Sequence, residues 1–303
     1  MDNIWSTVIE YLNLNPSADI TGATLFVTLA GVGACVGILT GLFGVGGGFL
    51  NVPILSIIFG VDKITAIASS VCLIVGTSTA GLGKHLRKGN IDFQIATILA
   101  GGSMVGAVVG DYLQDWLIDV VAGGDKKIFN PIMNALYILL LLVTAFLVWK
   151  GKPESSTKES FLQKIKLGPA ITIKSTGMQN VSLIGLISLS IMIGMTASIF
   201  GVGGGILFVP VMILLIGMPT HKAVGTSILL VLLTAAVSTM KKGSAGKVSL
   251  PIVMSLLVGS SIGVQFGAHL CNKLQSKKLQ KYFVFVVILA IVLVACKLIQ
   301  ELV

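Results

Sequence analysis

Long uncharged apolar segments follow one another along almost the whole chain, separated by short polar stretches. Several reach about 20 residues, the length that a helix needs to cross about 30 Å of hydrocarbon. Apolar and polar positions do not alternate as they would in a membrane barrel. The pattern therefore predicts an all-α polytopic membrane protein. Its apolar segments are 22–43, 49–60, 64–83, 92–113, 132–149, 181–200, 206–217, 222–240, 250–271 and 282–300.

The composition agrees with a bilayer environment. Of the 303 residues, 54% are hydrophobic and 11% are charged, whereas a soluble domain carries about 25% charged residues. The net charge of +9 comes from lysines in short loops, where Lys usually reports membrane topology, so we expect the lipid bilayer and no nucleic acid as a partner. The scattered cysteines indicate neither a disulfide framework nor a zinc site.

The second half of the chain repeats the first. The stretch GVGGG occurs at 44–48 and again at 201–205, and the offset of 157 (201 minus 44) holds without a gap for about 70 residues. Ser70, for example, falls on Ser227. We divide the chain into an N-terminal tail (1–21), a first transmembrane repeat (22–150), a polar linker (151–178) and a second transmembrane repeat (179–303).

Two apolar segments, 49–60 and 206–217, are too short to span a membrane. About 12 residues make a helix of about 18 Å, so we expect broken or re-entrant half-helices. Re-entry of the short segment alone gives each half an even number of crossings and parallel repeats, whereas an odd number gives inverted repeats. We favour inverted repeats, because the tail, which has no Lys or Arg, then lies outside the cell.

Glycines recur at a spacing of four in segments 92–113 and 250–271. This spacing lets two helix backbones approach closely. Helix packing within the chain is the favoured interpretation, and a homodimer seam is the alternative. The glycines are Gly102, Gly106 and Gly110 in the first half and Gly259, Gly263 and Gly267 in the second.

The doubled glycine run predicts a tight turn, an anion site, or both. Glycine costs about 1 kcal/mol in a helix relative to Ala, and bare N–H groups at a helix start bind anions. Paired Gly-interrupted segments in a duplicated transporter mark its substrate site, so we expect the glycines to be needed for function more than for folding. The candidate substrate-binding residues here are Gly44, Gly46, Gly47, Gly48, Asn51, Gly201, Gly203, Gly204 and Gly205.

A hydroxyl stripe that ends in a lysine occurs once in each half. Seven residues make nearly two helical turns, so members at this spacing share one helix face. We interpret the stripes as parts of an anion route, with helix packing and interface anchoring as the alternative. The stripes are Ser70, Thr77 and Lys84, and Ser227, Thr234 and Lys241.

The motif FGVGGG followed by Pro, written twice, resembles the sulfite exporter TauE/SafE family of membrane permeases. It spans Phe43 to Pro53 and Phe200 to Pro210, and the resemblance covers roughly residues 22–300. It implies a multi-pass secondary transporter or exporter in the bacterial inner membrane. The family is associated with sulfite, with sulfonates such as sulfoacetate, and with related small organic anions.

The rival functions are a transporter of another small organic anion, and an intramembrane enzyme or assembly factor. An enzyme needs convergent ionisable groups, and Asp and Glu are nearly absent from the apolar segments. Metal-ligand spacings such as HExxH and nucleotide-binding motifs are missing from the sequence. We therefore predict no catalytic residue, no metal and no cofactor, and a small anion as the substrate, held between the two repeats.

Overall fold

The computed structural model describes residues 22–121, 123, 125–150, 169–173, 178–271 and 273–302. Within them lie the helices α1 Gly22–Phe43, α2 Gly48–Pro53, α3 Lys63–Arg87, α4 Phe93–Trp116, α5 Lys126–Lys150, α6 Leu183–Phe200, α7 Gly205–Leu214, α8 Thr220–Ser244, α9 Leu250–Cys271 and α10 Ser276–Leu302. Two π-helical turns, Ile54–Ile58 and Leu117–Val121, extend α2 and α4. Strands β1 Ala170–Ile173 and β2 Met178–Ser182 pair antiparallel before α6. The predicted tail and most of the predicted linker lie outside the described residues.

Eight of these helices are long and apolar enough to cross a membrane. They are α1, α3, α4, α5, α6, α8, α9 and α10. The helices α2 and α7 stand at the two short apolar segments, and both are shorter than a span. The all-α polytopic membrane fold is confirmed, because every apolar segment of the sequence coincides with a helix.

The two halves interlock through the glycine stripes. Helix α9 of the second half packs along α1 of the first, and α4 packs along α6 in the same way. The glycines at these contacts leave no room for a Cβ, because each lies against the backbone of the opposite helix. Both glycine stripes are therefore covered by helices of the same chain, so they give no support to a homodimer interface. The contacts join Gly259 to Ala30, Gly263 to Ala34, Gly267 to Ile38, Gly102 to Ile187, Gly106 to Ile191 and Gly110 to Met195.

Equivalent helices of the two halves run in opposite directions. Gly225, near the start of α8, lies against the carbonyl of Asn90, just past the end of α3. At the other end of the pair, Ser249, just past the end of α8, lies against Ser69 near the start of α3, with the Ser249 N–H donating to Ser69 Oγ over 3.0 Å. The equivalent helices α3 and α8 are therefore antiparallel, which is the relative direction that the predicted inverted repeats require.

The helix ends define two faces of the molecule. We call one of them the terminal face, because α10 ends there. It carries Lys63 at the start of α3 and Glu301 at the end of α10, and both side chains hydrogen-bond to Asn134 of α5. The linker face carries the opposite ends, including Lys88 after α3 and Lys273 after α9. Helices α1 and α6 start on opposite faces, and their ends meet between the halves.

Candidate functional site

The two glycine runs cross between the halves of the molecule. A Cβ on Gly48 would lie 2.5 Å from the Gly201 carbonyl oxygen, and a Cβ on Gly205 would lie 2.5 Å from Val45 Cα. All residues from 44 to 48 and from 201 to 205 are buried. The backbones of the two runs therefore touch, which only glycine permits at these two positions.

The other glycines of the runs are needed for their backbone conformation. The φ angles are 70° for Gly44, 77° for Gly46 and 74° for Gly47, and 70°, 75° and 83° for Gly201, Gly203 and Gly204. Residues with a Cβ rarely adopt positive φ. The turn that the sequence suggested is thus present in both halves, and it is compatible with a ligand contact.

Ser70 and Ser227 hold the glycine runs of the opposite half. The Ser70 hydroxyl donates to the Gly201 carbonyl, and the Ser227 hydroxyl donates to the Gly44 carbonyl, both over 2.8 Å. Both serines are fully buried. Each satisfies a carbonyl at the end of a broken helix, which a membrane core does not hydrate.

The helices α2 and α7 begin at the crossing with amide groups that lack a backbone acceptor. The amides of Leu50 and Asn51 donate to the Gly47 carbonyl over 3.0 and 3.2 Å. Within the described residues, no backbone hydrogen bond is donated by the amides from 46 to 49 or by their equivalents from 203 to 206. Such buried donors at a helix start are suited to an anion or a water molecule.

Asn51 lies one turn beyond Gly47 and is 2% exposed. Its side-chain oxygen has no hydrogen-bond partner among the described residues. The equivalent residue of the second half is Phe208, whose ring lies against Gly204. The first half alone therefore places a buried amide side chain beside its glycine run.

The predicted threonines form local hydrogen bonds. Thr77 Oγ1 donates to the Ile74 carbonyl over 3.2 Å. Thr234 Oγ1 bonds to the Leu230 carbonyl at 2.8 Å and to Ser103 Oγ at 3.0 Å. Both hydroxyls are buried. The Thr77 hydroxyl bonds within α3, and the Thr234 hydroxyl bonds within α8 and to α4. These bonds fit the packing interpretation of the stripes.

The predicted lysines lie at opposite faces of the molecule. Lys84 Nζ donates to the Gln265 carbonyl of α9 over 2.7 Å near the linker face. Lys241 Nζ stands 3.1 Å from Asp115 Oδ2 and 3.4 Å from the Tyr112 ring centroid, near the terminal face. Each lysine has a local partner, and the structure does not bring the two together at the glycine crossing.

The structure contains a buried ion pair that was not predicted from the sequence. Lys242 Nζ lies 2.8 Å from Asp111 Oδ1, with exposures of 5% and 2%. Asp111 Oδ1 also accepts hydrogen bonds from Ser198 of α6 and Ser238 of α8. Gln114 accepts from Lys242 and donates to the Ile199 carbonyl, so the network reaches the last turn of α6. The sequence signal that could have indicated this pair is Asp111 itself, an ionisable residue inside the apolar segment 92–113.

Comparison with known proteins gives a family. The family described as "Sulfite exporter TauE/SafE" matches residues 29–294. "Probable membrane transporter protein YunE" of Bacillus subtilis (strain 168) is 24% identical over 287 residues, covering 91% of this chain and 98% of that protein. A "Probable membrane transporter protein" of Xylella fastidiosa (strain Temecula1 / ATCC 700964) is 29% identical over 272 residues, covering 89% and 94%.

A plant relative carries the family name itself. "Sulfite exporter TauE/SafE family protein 3" of Arabidopsis thaliana is 32% identical over 131 residues, covering 39% of this chain and 27% of that protein. No solved structure matches the chain. The family match extends over both glycine runs and all but the first and last few residues of the helical region. The chain is a multi-pass membrane protein that belongs to the sulfite exporter TauE/SafE family of transporters.

Proposed function

We propose that the protein is a secondary transporter or exporter that moves small sulfur-containing anions across the bacterial inner membrane. The substrates would be sulfite and sulfonates such as sulfoacetate. The anion would bind between the two halves, at the starts of α2 and α7. The observation that carries this proposal is the crossing of two buried glycine runs whose amides lack backbone acceptors.

The chemistry of the crossing suits an anion better than a cation. Backbone N–H groups at two helix starts supply donors and partial positive charge, and Asn51 adds a buried amide beside one of them. These groups act in a region of low dielectric, where each interaction is stronger than in water. A permanent cation at the centre is therefore not required for anion binding.

The orientation of the halves suits alternating access. Inverted repeats permit one half to rock against the other around a fixed site at their interface. Ser70 and Ser227 tie each glycine run to the opposite half, so a rocking motion would move both helix starts together. In this proposal Thr77 and Thr234 flank the route, and Lys84 and Lys241 supply positive charge near its two ends.

Thermal unfolding of the detergent-purified protein tests the proposal. We expect sulfite or sulfoacetate to raise the melting temperature, because a ligand that binds only the folded state stabilises it. Chloride at equal ionic strength is the control for salt effects. Stabilisation by acetate alone would favour the alternative, a carrier of another organic anion. Stabilisation by a metal cation or an amine, and by none of these anions, would refute anion transport.

A further inference from the structure

A polar cluster surrounds the Asp111–Lys242 ion pair, at a point where three helices meet. Asp111 lies on α4 and Lys242 on α8, and Ser198, near the end of α6, donates to Asp111 Oδ1. Ser238 of α8 donates to the same oxygen over 3.0 Å. Gln114 of α4 accepts from Lys242 and completes the group. We call these five residues the ion-pair cluster.

The internal repeat offers a comparison, because the equivalent positions toward the linker face lack the cluster. They hold two glycines, an alanine, a cysteine and a histidine. The carboxylate and the ammonium group are therefore present on one side of the molecule only. Ionisable groups inside a membrane protein are expensive and mark ion or proton pathways by default. The equivalent pairs are Asp111 and Ala268, Gln114 and Cys271, Ser198 and Gly41, Ser238 and Gly81, and Lys242 and His85.

One carboxylate oxygen of the cluster is suited to accept a proton. Asp111 Oδ2 is buried and has no hydrogen-bond partner among the described residues, whereas Oδ1 pairs with Lys242 and accepts from the two serines. A proton on Oδ2 would leave the contacts of Oδ1 in place. Carboxylate and hydroxyl oxygens also suit a small metal cation, but the Lys242 ammonium already stands among them. The exchangeable cation that fits this cluster is therefore a proton.

The path from solvent to the cluster begins at the terminal face. Asp115 lies one helical turn beyond Asp111 on α4 and is 36% exposed. Its carboxylate pairs with Lys241 and Lys247, which lie at the same face. Helix α6 adds no titratable residue to the surroundings. The charged and titratable groups that the structure places near Asp111 are Asp115 and Tyr112 of α4, Lys241 and Lys242 of α8, and Lys247 just beyond α8.

The ion-pair cluster adjoins the second glycine run. Ser198 lies three residues before Gly201, and the Ile199 carbonyl accepts from Gln114 over 3.2 Å. The last turn of α6 therefore joins the ion pair to the run whose amides lack backbone acceptors. In a medium of low dielectric, an unbalanced charge at this turn acts strongly on an anion at the crossing.

We propose that the ion-pair cluster couples anion transport to proton movement, and that Asp111 is the proton acceptor. The proton comes from water at the terminal face and binds Asp111 Oδ2, so the neutral pair becomes a cluster that carries the positive charge of Lys242. An unbalanced ammonium group inside a membrane protein is unfavourable, so the proton is retained while an anion at the crossing offsets that charge. Each ligand therefore favours the binding of the other. The proposal rests on anion transport as the function, and it names the ion that moves with the anion.

Titration calorimetry of the detergent-purified full chain with sulfoacetate counts the protons taken up. Both acid groups of sulfoacetate stay ionised near neutral pH, so the difference in heat between two buffers of unequal ionisation enthalpy reports protons bound by the protein. We expect about one proton per anion, and a Kd that falls about tenfold for each unit by which the pH is lowered. A wild type that binds sulfoacetate without taking up a proton would overturn the coupling.

Asp111→Asn tests the identity of the proton acceptor, because an amide does not take up the proton. We expect this variant to bind sulfoacetate without proton uptake and with a Kd that does not change with pH. His85→Gln is the control, because His85 is the rival acceptor. It is 1% exposed, is equivalent to Lys242, and has no partner for either ring nitrogen among the described residues. Uptake that is lost in His85→Gln and retained in Asp111→Asn would overturn the proposal.

A double variant keeps the test open if Asp111→Asn does not fold. Asp111→Asn combined with Lys242→Met removes both charges, and joint replacement of a buried pair is tolerated better than loss of one partner. The double variant should bind sulfoacetate without proton uptake and with a Kd that is independent of pH. A purely structural role of the pair would change stability and leave the proton count of the wild type in place.

The outcomes separate the proton coupling from the transport function. If sulfoacetate binds without proton uptake, or if Na⁺ at constant ionic strength lowers the Kd while the pH does not, the coupling is wrong and anion transport stands. If sulfoacetate and sulfite neither bind nor raise the melting temperature at any pH, the coupling and the proposed function fail together. Proton uptake that is lost only in the Asp111 variants supports both.

Discussion

The Ser70 hydroxyl of the first half donates a hydrogen bond to the Gly201 carbonyl of the second half over 2.8 Å. Ser227 makes the equivalent bond to Gly44 in the opposite direction. Each half thus completes the broken helix of the other, at a depth where water does not satisfy a free carbonyl. The crossing is therefore a shared structure, which neither half forms alone.

Replacing either serine should destabilise the protein without altering its surface. Ser70→Ala and Ser227→Ala each leave a buried carbonyl without its donor, which costs about 1–2 kcal/mol. Thr79→Ala is the matched control, because Thr79 is exposed and its hydroxyl bonds, among the described residues, only to the Val75 carbonyl of its own helix. Chemical unfolding in detergent measures the difference. Equal stability of Ser70→Ala and Thr79→Ala would show that the cross-half bond is unimportant.

Alanine substitutions in the glycine runs should lower stability as well as ligand binding. At Gly47, φ is +74°, and a Cβ would lie 2.7 Å from Val36 Cγ1 and overlap Thr40 Oγ1. At Gly204 the obstructing atom, at 2.9 Å, belongs to the Phe208 ring. Both positions have a positive φ, which costs a residue with a Cβ about 1–2 kcal/mol. Because two side chains obstruct a Cβ at Gly47 and both lie closer than the Phe208 ring does at Gly204, we expect Gly204→Ala to lose less stability than Gly47→Ala.

Gly31→Ala is the control for the glycine substitutions. Gly31 lies in α1, where no atom of the described residues is within 4 Å of an added Cβ, and Ala is better than Gly in a helix by about 1 kcal/mol. Its melting temperature should therefore stay level or rise. A melting temperature of Gly47→Ala equal to that of Gly31→Ala, with ligand binding lost, would instead restore the expectation that these glycines serve function more than folding.

The helices could be predicted because membrane burial dictates their composition. The helix α1 begins and ends at the bounds of the apolar segment 22–43, and α9 coincides with 250–271. Where the segments were too short to span, the glycine run and its repeat identified the breaks. These features depend on local sequence and on the requirement that every backbone group in lipid be satisfied.

The partners of the polar side chains could not be predicted, because they depend on which helices meet. An offset of 157 pairs Lys84 with Lys241, yet the antiparallel arrangement of α3 and α8 sends these residues to opposite faces. Likewise, Asp111 falls on Ala268 in the repeat alignment, and its partner Lys242 comes from a helix 131 positions away (242 minus 111). The internal repeat shows which residues are equivalent in the two halves. Which residues touch depends on how the helices are arranged in three dimensions.

The Asp111–Lys242 ion pair should show strong energetic coupling. Asp111→Ala leaves a buried ammonium without its counter-charge, and breaking a buried pair costs about 3–5 kcal/mol. The double variant Asp111→Ala with Lys242→His installs the residues found at the equivalent positions, Ala268 and His85, and should recover much of the loss. A double-mutant cycle of unfolding free energies measures the coupling. Strictly additive losses would mean that the two charges do not depend on each other.

Cysteine labelling in intact cells tests the inverted orientation. Lys88 follows α3 on the linker face, whereas Lys247 follows α8 on the terminal face, where its Nζ lies 2.7 Å from Asp115 Oδ1. In a cysteine-free background, a membrane-impermeant maleimide should therefore reach Lys88→Cys and Lys247→Cys from opposite sides of the membrane. The linker adds further lysines to the side of Lys88, so the positive-inside rule places that side in the cytoplasm.

The labelling separates orientation from sidedness. We expect Lys247→Cys to react in intact cells and Lys88→Cys to react only after permeabilisation. The reverse pattern would keep the inverted repeat but exchange the two sides of the membrane. Reaction of both cysteines from the same side contradicts the antiparallel arrangement of α3 and α8, because residues just past the ends of antiparallel spanning helices lie on opposite sides of the bilayer. That outcome would also remove the basis for alternating access around the glycine crossing, since the two helix starts would then no longer approach it from opposite sides.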